Sequence, residues 1–154
     1  MESVFTWPIR VYYEDTDTGG VVFYANYLKF FERARTEWLR SGRIEQSALA
    51  DTFGIVFVVM RTAVDYHAPA KLDNELKLTV VVETLGRASV EFKQQAWRVG
   101  NSSWPIDAAT RPPTGESVPV LLATASIKVA CVDRYTLRPR ALPQPVLDFV
   151  QGHS

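Results

Sequence analysis

The period of the hydrophobic pattern changes at Asn26, and that change limits the fold more than any other feature. Before it, Trp7, Ile9, Val11 and Tyr13 alternate with Pro8, Arg10 and Tyr12, the two-residue repeat of a strand. From Asn26 onward, Tyr27, Phe30, Phe31, Ala34 and Trp38 recur at helical spacing, with Lys29, Glu32, Arg33, Thr36, Glu37 and Arg40 on the other face. Asn26 is placed to cap this helix and Gly42 to stop it. A shorter helix is expected over Ile44 to Phe53. After Gly54 the strand period takes over, at Ile55 to Tyr66, Leu76 to Thr84, Ala88 to Arg98 and Pro119 to Val132. Leu85-Gly86-Arg87 reads as a hairpin turn, and Val146 to Val150 as a helical turn behind Pro143 and Pro145. One strand, one long helix and four further strands make an α+β fold: a central helix wrapped by a five-stranded antiparallel sheet.

The chain has 154 residues, the length of one domain, and 1–154 is read as a single domain with a long loop at 100–117. A loop that long is unusual in a compact domain, and it reads either as functional, at a pocket rim or an assembly contact, or as simply mobile. Lys and Arg number 17, as do Asp and Glu, so bulk positive charge cannot hold nucleic acid or an anionic membrane surface. No apolar run approaches the roughly 18 residues of a membrane span. Cys131, a lone cysteine in an alternating apolar stretch, reads as a buried small hydrophobe and suits a reducing compartment. A cytoplasmic location is expected.

The chemistry concentrates where the strand hands over to the helix. Glu14-Asp15-Thr16-Asp17-Thr18-Gly19-Gly20 brings carboxylates through a glycine turn to a helix start, whose unpaired N–H groups and dipole favour negative charge. A calcium loop is excluded, because Gly19 stands at its fifth place, Asn26 at its twelfth, and no helix precedes it. Asp15-Thr16-Asp17-Thr18 also resembles the nucleophile motif of haloacid dehalogenase-type phosphatases. That chemistry requires a downstream acidic pair and alternating strands and helices, which the chain does not supply.

The wider window resembles the hotdog-fold acyl-CoA thioesterases, of the 4-hydroxybenzoyl-CoA thioesterase type and its Tol–Pal-associated branch. The matching residues are Arg10-Val11-Tyr12-Tyr13-Glu14-Asp15-Thr16-Asp17, Gly19-Gly20-Val21-Val22 and Ala25-Asn26-Tyr27 through Arg35. Tyr66-His67-Ala68-Pro69-Ala70-Lys71-Leu72-Asp73, Cys131-Val132-Asp133 and Leu137 to Pro143 extend the match along the chain. The resemblance implies that Asp17 is the catalytic carboxylate, as nucleophile or as the base that activates water. It places the thioester oxygen at the helix N-terminus, against backbone N–H groups near Tyr24. Tyr24 stands where many Tol–Pal-associated members carry His, which removes any imidazole base and throws more weight on Asp17.

The resemblance also implies substrate contacts at Gly20, Val22, Phe23 and Asn26, and nucleotide contacts at Arg87 and Arg138, with Arg134 and Arg140 in reserve. No metal and no separate cofactor is expected, coenzyme A being part of the substrate. The expected assembly is a homodimer or homotetramer joined through sheet edges, with acyl carrier protein as a further partner. Glu14 and Asp15 read as solvated or structural carboxylates, His67 as a strand-end histidine, and His153 as part of a tail. Two alternatives stand beside the hydrolase. One is a non-catalytic protein of this fold that binds acyl-CoA or acyl carrier protein in envelope maintenance. The other is a hotdog dehydratase, which needs a His paired with a carboxylate; Tyr24 and a total of 2 histidines weigh against it.

Overall fold

The computed structural model describes residues 4–99 and 118–152. Strand β1 (Phe5–Arg10) leads through a 3₁₀ turn at Tyr13–Asp15 to helix α1 (Asn26–Ser41) and helix α2 (Gln46–Phe53). Strands β2 (Ile55–Tyr66), β3 (Glu75–Leu85), β4 (Ser89–Val99) and β5 (Val120–Asp133) follow, and helix α3 (Gln144–Gly152) closes the order. The five strands make one antiparallel sheet in the order β1-β3-β4-β5-β2. This is the α+β architecture that the change of period predicts. The 100–117 segment and His153 lie outside the described residues.

Alternation along the central strands builds the core. Leu76, Leu78 and Val80 of β3, and Val90, Phe92 and Ala96 of β4, turn inward against Phe30, Phe31, Ala34 and Trp38 of α1. Phe30 and Phe31 have no exposed surface, and each contributes about 1.5–3 kcal/mol by burial. Gln94 takes an inward position on β4 and is also fully buried. Its amide donates to Phe31 O at 3.1 Å and Thr79 O at 3.3 Å, and its Oε1 accepts from Arg35 Nη1 at 2.9 Å. Every hydrogen-bonding group it brings inside is thereby used.

Two local expectations are corrected, and a third, the stop at Gly42, holds for a different physical reason. The alternation through Tyr13 does not extend β1, because the backbone turns after Arg10 and leaves Tyr12 and Tyr13 exposed. Asn26 does not cap α1; it is the first helical residue, and its side chain reaches back to Asp15 O at 2.8 Å. Gly42 ends the helix with an ordinary φ of −95°, while Arg43 takes the positive φ of 62°. The need for glycine at 42 is steric, since a Cβ there would overlap the ring of Phe149 from α3.

α1 lies over β3 and β1 and leaves the other half of the sheet face less covered. The sheet therefore ends in two unlike edges. β1 carries Pro8, which cannot donate to a ladder, whereas β2 presents exposed Val58, Val59 and Met60. The register also separates two ends of the molecule. Arg10 opposes Glu75, Val99 ends β4 opposite Glu75, and Tyr66 opposes Ala123, so the acidic loop and the end of β2 share one end of the sheet. The β3–β4 turn at Arg87 lies at the other end.

Candidate active site

The loop before α1 is built on Asp15, not on the carboxylate two residues later. Its side chain is 5% exposed; Oδ2 accepts from Tyr12 N–H at 2.9 Å, and Oδ1 meets Lys29 Nζ at 3.0 Å. Its backbone carbonyl accepts from Phe23 N–H at 3.1 Å and from the Asn26 side chain at 2.8 Å. One residue thus clamps the strand end, the glycine turn and the first turn of the helix together. Of the two readings open for Asp15, the structural one holds and the solvated one does not.

With the loop fixed in this way, Asp17 sits at a tight reversal. Asp17 N–H donates to Val21 O at 2.9 Å, Gly20 N–H donates to Asp17 O at 3.0 Å, and Thr16 pairs with Val22. Gly20 has a φ of 80°, a conformation that disfavours any residue with a Cβ. Asp17 is exposed, and one of its oxygens accepts from Gly19 N–H at 2.8 Å. Its other oxygen has no partner among the described residues and is free to accept a proton or attack a carbon.

The start of α1 offers complementary donors. Asn26 N–H goes to Phe23 O at 2.9 Å and Leu28 N–H to Ala25 O at 3.2 Å. The N–H groups of Tyr24 and Ala25 have no acceptor among the described residues. Tyr24 and Phe23 are exposed, with ring centroids 4.8 Å apart and planes tilted by 44°, so these donors open onto solvent beside two aromatic rings. A carboxylate acceptor and a pair of orphan amides at a helix N-terminus can together activate water or a carbonyl and hold the oxyanion that forms.

Some sequence-predicted contacts do not survive as side-chain contacts. Val22 is buried in the core and donates its N–H to Ala70 O at 2.8 Å. The Asn26 amide is committed to Asp15 O. Arg134 and Arg140 are also taken, because they cap the carboxyl end of α2. Arg134 donates to Ala50 O at 2.9 Å, and Arg140 to Phe53 O at 3.1 Å and to Asp133 at 2.8 Å. Arg87 and Arg138 are exposed, and the structure brings their segments together: Leu142 N–H bonds Arg87 O, and Asp133 N–H bonds Arg138 O. They lie at the far end of the sheet from Asp17, roughly 33 Å away along the length of β3. His67 binds Thr124 Oγ1 at 3.1 Å at the end of β2, as a strand-end histidine.

Sequence reasoning passes over two features. A cavity of about 470 Å³ lies between α1, β2 and α3, reaching Leu28 and Lys29 but neither Asp17 nor Tyr24. Arg35 stands in its wall, 8% exposed, its guanidinium lowered to about 10 by desolvation, with Glu32 acting in the opposite direction. Tyr66 donates its hydroxyl to Tyr24 O at 2.9 Å. The periodicity of β2 carries no signal for that contact, because it depends on where the strand ends relative to the helix.

Comparison with known proteins places this geometry among relatives. Residues 19–104 match the family model described as the thioesterase superfamily. A protein of Escherichia coli O6:H1, acyl-CoA thioester hydrolase YbgC, is 39% identical over 145 residues, covering 94% of each chain. Acyl-CoA thioesterase YbgC of Haemophilus influenzae is 40% identical over 146 residues, 95% of this chain and 93% of that one. Among solved structures, a probable thioesterase from Bartonella henselae superposes with a TM-score of 0.73 at 31% identity, covering 92% of this chain and 100% of that one.

Proposed function

From the premise that this chain belongs to the thioesterase superfamily, we propose that Asp17 drives its chemistry and that the amides at the start of α1 receive the oxyanion. The activity is acyl-CoA thioester hydrolysis. The observation that carries the Asp17 reading is the division of labour within the loop. Asp15 is buried and spent on structure, while Asp17 is exposed with one oxygen held by Gly19 N–H and the other without a partner among the described residues.

A thioester is already an activated acyl group, so one placed carboxylate and two amide donors are a sufficient catalytic set. In one route Asp17 takes a proton from water, the water oxygen bonds to the carbonyl carbon, and collapse of the tetrahedral adduct breaks the carbon–sulfur bond. In the other, Asp17 bonds to that carbon, expels the thiolate of coenzyme A, and water cleaves the resulting anhydride. Both routes release the carboxylic acid and the thiol, and both build negative charge on the oxygen facing Tyr24 N–H. Phe23 and Gly20 border that position, while Val22 and Asn26 hold the loop beneath it.

The nucleotide end of the substrate requires cations, and the exposed Arg87 and Arg138 supply them. A single chain sets them too far from Asp17 for one acyl-CoA to touch both. Antiparallel pairing of β2 with the β2 of a second copy reverses the ends, which brings the Arg138 end of one chain beside the Asp17 end of the other. The exposed apolar edge at Val58 to Met60 supports that pairing. The working unit is thus a homodimer, and a homotetramer is a pair of such dimers. Acyl carrier protein fits the same chemistry, since it presents acyl groups on the same pantetheine thioester. Among the described residues no helix is long and apolar enough to cross a membrane, and the free, buried Cys131 supports a reducing, cytoplasmic setting.

The test is thiol release from a panel of acyl-CoAs by the wild type and by Asp17→Asn. Asn keeps the acceptor for Gly19 N–H but removes the charge, so the rate falls about 100- to 10,000-fold with the turn intact. A full rate in Asp17→Asn overturns the assignment. A single turnover in heavy-oxygen water separates the two routes, because only the anhydride route can leave label in Asp17.

A further inference from the structure

Tyr66 closes β2 on the same end of the sheet as the acidic loop, and its ring and hydroxyl both reach the start of α1. The ring meets Tyr27 edge-on at 5.4 Å and Tyr24 edge-on at 6.2 Å. The hydroxyl donates to Tyr24 O at 2.9 Å. The backbone behind it is fixed, because Tyr66 opposes Ala123 of β5 and His67 N–H bonds Leu122 O at 2.7 Å.

That hydrogen bond lands on a carbonyl which the helix itself uses poorly. Tyr27 N–H lies 3.4 Å from Tyr24 O, and Leu28 N–H goes to Ala25 O instead. The Tyr24–Ala25 peptide therefore depends on Tyr66 for its orientation. The peptide is trans and planar, so holding the oxygen also sets the direction of the Ala25 N–H, which points the opposite way. The preceding peptide is held similarly, by Asn26 N–H on Phe23 O at 2.9 Å, and this sets the Tyr24 N–H. Tyr24 thus stands between two pinned peptide planes, each carrying an N–H without an acceptor among the described residues. Donation to Tyr24 O also polarises that peptide and strengthens its N–H as a donor.

We propose that Tyr66 is a positioning residue for catalysis, holding the Tyr24–Ala25 peptide so that Ala25 N–H acts beside Tyr24 N–H on the thioester oxyanion. The proposal rests on the reading of the α1 start as the oxyanion site. It adds a second donor and names the side chain, 42 positions away in the sequence, that aims it. Desolvation first and Tyr24 second raise the Tyr66 phenol above its ordinary value of 10.0, which keeps the hydroxyl protonated as a donor at neutral pH.

The experiment compares wild type, Tyr66→Phe and Asp17→Asn in two measurements. Tyr66→Phe keeps the ring between Tyr24 and Tyr27 and removes only the oxygen, so its melting temperature serves as the folding control. Steady-state thiol release from acyl-CoA should show kcat lowered at least about tenfold with KM unchanged, short of the roughly 100- to 1,000-fold that loss of a whole oxyanion donor costs. The second measurement is the infrared carbonyl stretch of a bound ketone analogue, in which a methylene replaces the thioester sulfur. In the wild type it should move to lower frequency than in water, and in Tyr66→Phe that shift should shrink. An unchanged kcat and an unchanged shift in Tyr66→Phe overturn the role of Tyr66 alone. Absence of any shift in the wild type overturns the oxyanion site itself, and a full rate in Asp17→Asn overturns the catalytic carboxylate.

Discussion

Lys29 Nζ stands 3.0 Å from Asp15 Oδ1, joining the first turn of α1 to the loop that carries Asp17. The two members are unequal. The Asp15 side chain is 5% exposed, while that of Lys29 is 36% exposed and keeps contact with water. The pair therefore acts less as a source of energy than as a fixed point, with Tyr12 N–H held on the other carboxylate oxygen.

Asp15→Ala leaves Tyr12 N–H without its acceptor and releases Lys29 to solvent. The expected loss is about 1–3 kcal/mol of stability. At this chain length that lowers the melting temperature by roughly 2–4 °C per kcal/mol. Activity falls with it, because the turn under Asp17 loses its anchor. Asp17→Asn should instead lose activity at an unchanged melting temperature, and thermal scans beside thiol-release assays check the contrast.

Gly42→Ala tests the contact between the end of α1 and α3. The new Cβ would overlap the Phe149 ring, which packs on Trp38 at a centroid distance of 4.7 Å. The ring has to move, at a cost of about 1–3 kcal/mol. Adding Phe149→Leu should recover part of that loss if overlap is the cause. Denaturant unfolding of the two single variants and the double variant measures the coupling.

Stability should decline in alkaline solution. Burial raises the Cys131 thiol above its ordinary 9.0, with Arg140 opposing, and burial raises the Tyr27 phenol above 10.0. In both cases the unfolded chain ionises first and binds fewer protons than the native one, so stability is full below about pH 9 and is lost as pH rises beyond it. Cys131→Val should remove the earlier part of that decline and leave the part due to Tyr27. Melting temperatures between about pH 8 and pH 11 decide it.

The β2 edge is testable by charge. Val59 is 52% exposed and sits mid-strand, so Val59→Glu puts a carboxylate into any pairing between two β2 edges. Light scattering after gel filtration should show the wild type as a dimer or larger and the variant as a monomer. Activity should fall with the dimer. A monomeric wild type with full activity would defeat the proposed assembly.

Much of the fold was legible in the sequence because it follows from period. The helical repeat from Tyr27 to Trp38 and the alternation in β3 through β5 each name a buried face, and packing obeys them, whereas the edge strand β2 is exposed along most of its length. Tyr12 and Tyr13 fit the strand period too, yet the chain leaves the sheet there because Asp15 draws Tyr12 N–H into a turn. The division between Asp15 and Asp17 is likewise absent from the pattern, since both are carboxylates in one loop. It is decided by Lys29, one helical turn along. Arg134 and Arg140 look as available as Arg87 and Arg138 until the carboxyl end of α2 is seen to claim them. Tyr66 on Tyr24 O is a contact across 42 positions, and no local rule reaches that far.

The pairing of β2 with β5 has a consequence for how the chain is made. β2 is synthesised directly after α1 and α2, but its only neighbour in the sheet among the described residues, Val120–Asp133, is the last strand to be translated. Throughout that interval the apolar run Ile55–Tyr66 is complete and has no strand to pair with. The segment whose edge is proposed to pair with a second copy is thus also the one longest at risk of meeting a wrong chain on the ribosome. A ribosome-associated chaperone should find its main client segment here, and slowing translation between β2 and β5 should lower the soluble yield before it alters the enzyme that does fold.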